Sequence, residues 1–208
     1  MEKAVLHKRS SNFLTVPIAG LMLTITCTLF SFAVAETPSA SMLANTCAGC
    51  HGTNGSSVGP ASPTIAGISR DYFIETMLAY KDTSRPSTIM TRIAKGYTDE
   101  EISRMADFFS KQPIVRFNQE YDARQASRGK KLHKKYCHKC HEHGGGLAED
   151  DAGILAGQWG PFLRFTLTDF TSGNRKMNIK KKQQLDKLLK QQGEAGVEQL
   201  IQYYASQQ

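Results

Sequence analysis

A five-residue pattern occurs twice in this chain of 208 residues: two cysteines separated by two residues, with a histidine directly after the second. Because an α-helix turns once in about 3.6 residues, this spacing presents both thiols to one side and puts the imidazole beside them. The pattern is the attachment signature of c-type haem, with thioether anchors and a proximal histidine ligand. The sequence therefore predicts two covalent haem c groups. The predicted anchors are Cys47, Cys50, Cys137 and Cys140, and the predicted proximal iron ligands are His51 and His141.

The first 35 residues predict a secretory signal peptide. Lys3, Lys8 and Arg9 form a basic region, a mostly apolar stretch covers residues 13–32, and residues 33–35 form a small-x-small cleavage site. The alternative is an uncleaved membrane anchor, because the apolar stretch nearly reaches the roughly 20 residues that a span needs. We expect cleavage, a periplasmic location and no stable membrane span in the mature protein.

The net charge and the positions of the cysteines limit which partners and which cross-links the sequence predicts. The net charge of +7 falls to +5 without residues 1–35, which is too diffuse to predict nucleic-acid binding. Every cysteine after residue 35 belongs to one of the two motifs, so none is left for a disulfide elsewhere. Lysine runs at 130–135 and 180–190 indicate solvated helix faces, or alternatively a surface that steers a partner redox protein.

An internal repeat relates the two halves of the chain. A shift of 90 positions carries the first motif onto the second, and residues 65–67 onto 155–157, without a gap. At the far end, residues 108–112 resemble 203–207 at a shift of 95. The sequence therefore predicts a tandem duplication, with one domain over residues 36–115 and another over 116–208.

Each copy has the patterns of helices, and neither shows the sustained alternation that is typical of strands. In the first copy, residues 39–50 predict a short helix, Ser69 or Arg70 begins a second, and a capping box at residues 98–101 begins a third. In the second copy, helices are predicted near residues 122–136, 161–171, 177–191 and 194–206. The predicted fold class is all-α.

A haem iron bound by histidine has a sixth position, and methionine there favours electron transfer. In the first copy we predict Met90, which lies in a segment between two predicted helices. Met42, Met77 and Met105 fall on apolar helix positions, where methionine more often fills the core.

In the second copy we predict Met177, which is the only methionine after residue 105. Three histidines compete with it. His138 and His143 lie in or next to the motif, on the proximal side, and His133 lies one turn before Cys137. Each is better explained by solvation or by a local hydrogen bond.

Cysteine pairs of this spacing also hold structural zinc, so a zinc site is a second interpretation of the two motifs. The histidine after each pair, a methionine in each distal segment and the predicted export signal all favour haem over zinc.

Beyond the two motifs, longer stretches of the sequence resemble the dihaem cytochrome subunit of flavocytochrome c sulfide dehydrogenase. The similarity covers essentially the whole chain after residue 35, with one departure at Lys176, where that family tends to have proline. The stretches that carry it are residues 45–51, 58–63, 87–90, 93–97, 131–133, 135–137, 154–159 and 204–208.

The resemblance implies two tandem class I cytochrome c-like domains, each wrapped around one covalent haem c. It implies a periplasmic heterodimer in which an FAD-containing subunit oxidises sulfide. This chain would then be no enzyme itself, but would pass electrons through its haems to an external acceptor such as a soluble cytochrome c. The resemblance also implies His/Met ligation, with His51 and Met90 on one iron and His141 and Met177 on the other.

Two other functions remain open at this point. One is a free dihaem cytochrome c that carries electrons in a respiratory chain without a flavoprotein. The other is a dihaem peroxidase, which needs an open or displaceable iron site. Four aromatic residues are candidates for haem-pocket walls, the domain interface or ordinary core: Tyr72, Phe73, Trp159 and Phe162.

Overall fold

The structure is a computed structural model and describes residues 37–148 and 152–208. The predicted signal peptide lies outside these residues. Thr37–Gln208 form one compact unit, and its described part contains helices and no β-strand, as predicted. Among the described helices, none has the length and apolarity needed to cross a membrane. The α-helices are α1 (Ala40–Asn45), α2 (Ala48–His51), α3 (Arg70–Lys81), α4 (Met90–Ile93), α5 (Asp99–Phe109), α6 (Ala123–Leu132), α7 (Gly160–Thr171) and α8 (Ile179–Ala205).

Side-chain caps begin the main helices of the N-terminal half. The Ser69 hydroxyl accepts a hydrogen bond from Tyr72 N–H at the start of α3, and the helix begins where the sequence predicted, at Ser69 or Arg70. At the start of α5, Thr98 and Glu101 form the predicted capping box, in which each side chain accepts from the other residue's backbone N–H. These caps fix where α3 and α5 start, and α1 and α3 both pack on α5.

The prediction of one helix over residues 39–50 was wrong. The segment forms α1 and α2, which are separated at Thr46 and Cys47. The N–H groups of both residues donate to carbonyls three positions back, Leu43 and Ala44, instead of four. This tighter turn ends α1 and starts a new helix at the haem motif.

The C-terminal half begins with α6, which Asp122 caps by accepting from two backbone N–H groups. A π-helix, His133–Cys137, follows it directly and leads into the second motif. The helix α8 is interrupted at Gly193, whose φ of 60° and ψ of −162° are not helical. This break falls between the two helices that the sequence predicted there.

Two separate groups of buried apolar residues form the cores. The N-terminal core lies between Leu43 and Phe109 in sequence, and the C-terminal core lies between Leu132 and Tyr204. Phe73 belongs to the first core, and Phe162 packs against the second. Each half therefore has its own hydrophobic core.

The same backbone hydrogen bonds recur in both halves. The Gly55 carbonyl accepts from the N–H groups of residues 65 and 66, and the Gly145 carbonyl accepts from those of residues 155 and 156. Gly67 N–H donates to Phe109 O, and Gly157 N–H donates to Tyr204 O, both at 2.9 Å. These bonds reproduce the shifts of 90 and 95 that were read from the sequence.

The segment between the halves, residues 113–122, contains no helix but is tied to both of them. Val115 N–H donates to the Ser56 hydroxyl in the N-terminal half at 3.0 Å. Gln119 bonds to the C-terminal half twice, donating to Gln158 O at 3.0 Å and accepting from Gly160 N–H at 2.9 Å. The linker therefore contributes to the contact between the halves.

Candidate haem sites

The first motif lies on α2, which is a single helical turn. His51 N–H donates to the Cys47 carbonyl at 2.9 Å, which closes the turn between the two ends of the motif. Cys47 is half-buried and Cys50 is exposed. Burial raises the pKa of the Cys47 thiol, and only a weaker hydrogen bond from Thr46 opposes it. The turn thus holds two cysteine side chains next to an imidazole.

The His51 imidazole is 9% exposed, and its Nδ1 lies 2.8 Å from the Pro63 carbonyl oxygen. A carbonyl can only accept, so Nδ1 carries the proton and Nε2 is left with its lone pair. Burial lowers the pKa of His51, and the bond to Pro63 raises it in part. A neutral imidazole with an oriented Nδ1–H is the form in which histidine binds a metal through Nε2.

The loop that supplies the Pro63 carbonyl is held together by hydrogen bonds between its own residues. The fully buried Ser57 donates from its hydroxyl to Ser62 O at 2.8 Å and accepts from Gly59 N–H at 3.0 Å. Ser57 N–H donates to the Thr64 hydroxyl at 3.1 Å. This bracing holds the acceptor of the His51 bond in a defined position.

The predicted distal ligand Met90 is the first residue of α4. It is half-buried and packs against the N-terminal core. Ile89, which precedes Met90 in the sequence, is 53% exposed. Met77 and Met105 are buried in the core, whereas Met42, which the sequence also placed on an apolar position, is 64% exposed.

The second motif has the same closing hydrogen bond, from His141 N–H to the Cys137 carbonyl at 3.0 Å. It differs in what precedes it, because the π-helix leads into Cys137 without the break seen before Cys47. Burial raises the pKa of the Cys137 thiol to about 11, against the lowering effect of a hydrogen bond with Tyr204. Cys140 and His141 are half-buried.

The structure explains the three competing histidines of this half by local contacts or exposure. His133 is 5% exposed, and its Nδ1 lies 3.0 Å from the Tyr204 hydroxyl. Burial lowers its pKa, and the charge of His138 lowers it further. His138 and His143 are exposed. Met177 is half-buried in the segment between α7 and α8, where the sequence predicted a distal ligand.

The lysine runs lie mainly on exposed helix surface. Lys130, Lys131, Lys134 and Lys135 are all exposed, and Lys135 donates to Gln191 at 2.9 Å. Some of this charge is compensated locally in the second run, where Lys182 pairs with Asp186 at 2.7 Å.

Contacts between the halves include Tyr72, which the sequence named as an interface candidate, and Arg175, which it did not. Arg175 donates to the Tyr72 hydroxyl at 3.0 Å and lies 4.3 Å from the centre of the Phe170 ring. At the equivalent position of the first half, Arg85 lies over the Tyr80 ring at 4.7 Å. The repeat therefore extends to these arginine–aromatic pairs, a signal that a search for haem motifs does not detect.

Two further residues of the C-terminal half reach the loop beside His51. Trp159 donates from its indole N–H to Ser57 O at 2.9 Å, and the buried Gln158 bonds both backbone groups of Thr64. Trp159 was a candidate for the interface, whereas Gln158 was noted only as part of a similar stretch.

The residues of both motifs fit covalent haem. Each motif presents two cysteines and one histidine within a single helical turn. At the first motif, the hydrogen bond from His51 Nδ1–H to Pro63 O leaves His51 Nε2 available for iron. Among residues 37–148 and 152–208, no group of three or more His, Cys, Asp or Glu side chains is arranged to hold a metal ion by itself.

Comparison with known proteins decides the family. The sequence profile described as "Cytochrome c" matches residues 39–112. Cytochrome c-554(548) of Halomonas halodenitrificans is 37% identical over 70 residues, which are 32% of this chain and 84% of that protein. The chain belongs to the cytochrome c family. Proteins of this family are electron carriers, and the two motifs give this member two covalently bound haem c groups.

Two relatives bear on the finer function. The cytochrome subunit of sulfide dehydrogenase from Chlorobaculum tepidum is 47% identical over 68 residues, covering 33% of this chain. The match spans only 61% of that relative's own length. Cytochrome c4 of Pseudomonas aeruginosa is 28% identical over 165 residues, covering 76% of this chain and 82% of the relative.

A solved structure confirms the fold class. The crystal structure of reduced recombinant cytochrome c4 from Pseudomonas stutzeri superposes with a TM-score of 0.69 at 23% identity, covering 83% of this chain and all of that one. The predicted architecture of two tandem class I cytochrome c-like domains is therefore confirmed.

Proposed function

We propose that each half holds its haem through the residues predicted from the sequence. The thioether anchors are Cys47 and Cys50 in the first half, and Cys137 and Cys140 in the second. The axial pairs are His51 with Met90, and His141 with Met177. The observation that carries this proposal is the buried His51 imidazole, whose bond to Pro63 O leaves Nε2 for iron.

When bound, haem supplies a one-electron couple, and this chain sets its properties through the axial ligands, hydrogen bonds and burial. Pro63 holds the His51 ring in one orientation and one tautomer. Met90, packed on the N-terminal core, is held near one place, so both oxidation states of the iron would meet the same ligand. Little rearrangement on electron transfer is what a carrier needs.

We further propose that the chain is the dihaem subunit of a periplasmic flavocytochrome c sulfide dehydrogenase. It would accept electrons from an FAD-containing, sulfide-oxidising partner and pass them to an external acceptor. The support is the 47% identity to the Chlorobaculum cytochrome subunit, together with the stretches of similarity outside the motifs. The domain boundaries at 36–115 and 116–208 and the cleaved signal peptide are parts of this proposal.

Purification of the mature holoprotein from its native host tests the partner. A complex with one copy of each subunit that contains flavin and reduces the haems on addition of sulfide is the expected result. A flavin-free monomer whose haems sulfide does not reduce, from cells that oxidise sulfide normally, would contradict it.

The second candidate is a free dihaem electron carrier. The alignment with cytochrome c4 favours it, because that similarity extends over 165 residues, whereas the match to the sulfide dehydrogenase subunit covers 68. The same purification separates the two, since a free carrier elutes without flavin and exchanges electrons with an oxidase.

A further inference from the structure

A single peptide group next to His51 is hydrogen-bonded at both of its ends. The oxygen of the bond between Pro63 and Thr64 accepts from His51 Nδ1–H at 2.8 Å. The N–H of that same peptide, which belongs to Thr64, donates to Gln158 Oε1 at 3.0 Å. The two hydrogen bonds therefore form one chain, from the Gln158 amide through the peptide to the imidazole.

Gln158 is placed firmly enough to act through this chain. Its side chain is 5% exposed, and its Nε2 also donates to Thr64 O at 2.7 Å. Its backbone carbonyl accepts from Gln119 at 3.0 Å, and its N–H donates to Leu155 O at 3.1 Å. Both ends of the residue are thus fixed.

The neighbouring Trp159 contacts the same loop at other residues. Its indole N–H donates to Ser57 O at 2.9 Å, and its ring packs on Gly59, where a Cβ would overlap it. Trp159 therefore joins the same two parts of the chain without a hydrogen bond to Thr64, which makes it a matched comparison for Gln158.

Hydrogen bonds in a chain polarise one another, and in a buried site this effect is stronger than in water. Because Gln158 Oε1 accepts a hydrogen bond from Thr64 N–H, the peptide is polarised, and its Pro63 oxygen becomes a better acceptor for His51 Nδ1–H. A stronger bond there gives the imidazole more anionic character, as the hydrogen-bond acceptors beside metal-bound histidines do. A more electron-rich ligand stabilises ferric over ferrous iron.

We propose that Gln158, in the C-terminal half, is a positioning residue for the haem of the N-terminal half, and that it lowers the reduction potential of that haem through the Pro63–Thr64 peptide. The inference rests on the proposed ligation of iron by His51. We expect the effect at the N-terminal haem only, because the residue of the first half that is equivalent to Gln158 is Ile68, which has no side-chain amide.

The substitution Gln158→Met tests this in the holoprotein, because it keeps the length of the side chain and removes both bonds to Thr64. We expect the midpoint potential of the N-terminal haem to rise and that of the C-terminal haem to stay unchanged, with the two haems resolved by their haem-methyl proton resonances. The His51 Nδ1–H resonance should move upfield. Trp159→Phe should shift the N-terminal potential much less.

Equal shifts in Gln158→Met and Trp159→Phe would show that only the integrity of the interface matters, and no shift at either haem would also overturn the proposal. If Gln158→Met does not mature, amide exchange in the wild-type holoprotein replaces it. Thr64 N–H should then exchange far more slowly than an exposed loop amide, and fast exchange would contradict the proposal. If His51 were not the ligand, His51→Ala would keep a normal low-spin spectrum, so the two failures are distinguishable.

Discussion

The two halves of the chain share a backbone framework but support their haem motifs differently. The carbonyl of Gly55 and that of Gly145 each accept from two loop N–H groups, which lie ten and eleven residues further along their own half. Before the first motif, the helix is interrupted between α1 and α2, whereas a π-helix leads directly into the second motif. Duplication has therefore kept the loop geometry around each motif, while the helix that delivers it has diverged.

The distal sides differ as well. Met90 and Met177 are both half-buried, but Met90 packs against the N-terminal core and Met177 lies in the segment between α7 and α8. The last helices also begin differently, with a capping box before α5 and a glycine break within α8. Of the two proposed distal ligands, Met90 is therefore the one whose side chain packs against a buried core.

Removing the anchors of one motif has the largest expected effect. Cys47→Ser with Cys50→Ser should lower the haem content from two groups per chain to one, because serine forms no thioether bond. Haem content by the pyridine haemochrome assay and the mass of the intact chain measure this. Cys137→Ser with Cys140→Ser is the matched variant, and two remaining covalent haems in either would contradict the assignment.

Replacing the distal methionines separates ligation from packing. Met90→Ala and Met177→Ala should each open one iron to carbon monoxide in the reduced protein, which the absorption spectrum reports. Met90→Ala should also lower the free energy of unfolding more, by about 1–3 kcal/mol, because it leaves space at the edge of the N-terminal core. Rapid carbon monoxide binding by the wild-type protein would instead favour the peroxidase alternative.

The glycine break in the C-terminal half predicts a loss of stability without a change at the iron. Gly193 has a φ of 60° and a ψ of −162°, a conformation that is open essentially to glycine alone, and no atom lies within 4 Å of a Cβ built there. Gly193→Ala should therefore cost about 1–3 kcal/mol through backbone strain alone. Thermal unfolding measures it, with Gly173→Ala, also at positive φ in open space, as a comparison for strain at a turn.

The capping box in the N-terminal half predicts a smaller loss. Thr98→Ala removes the acceptor for Glu101 N–H at the start of α5 and should cost about 1 kcal/mol. Chemical denaturation measures it, and Thr98→Ser should restore most of the stability. A cost in Thr98→Ala that equals or exceeds that of Gly193→Ala would contradict the ranking of the two helix starts.

Much of this architecture could be predicted from the sequence because it is encoded locally. The motifs, the capping box at Thr98 and Glu101, and the break near Gly193 depend on residues within a few positions of one another. The shift from 90 to 95 could be read from the resemblance of Phe109 to Tyr204, and both residues accept the equivalent loop N–H.

The contacts between the halves could not be predicted in this way. Gln158 bonds to Thr64, and Arg175 to Tyr72, across about a hundred positions of sequence. Periodicity and spacing carry no information about which residues meet at that distance. The π-helix before Cys137 was missed for another reason, because residues 122–136 have an ordinary helical pattern and a π-turn leaves no distinct signature in it.

Whether each half binds its own haem through one histidine and one methionine is tested most directly by proton NMR of the reduced holoprotein. A methionine methyl group bound to low-spin ferrous iron lies over the macrocycle, whose ring current moves its resonance far upfield. We predict two such methyl signals per chain, one lost in Met90→Leu and the other in Met177→Leu. A single upfield methyl signal, or two that persist in these variants, would contradict the assignment.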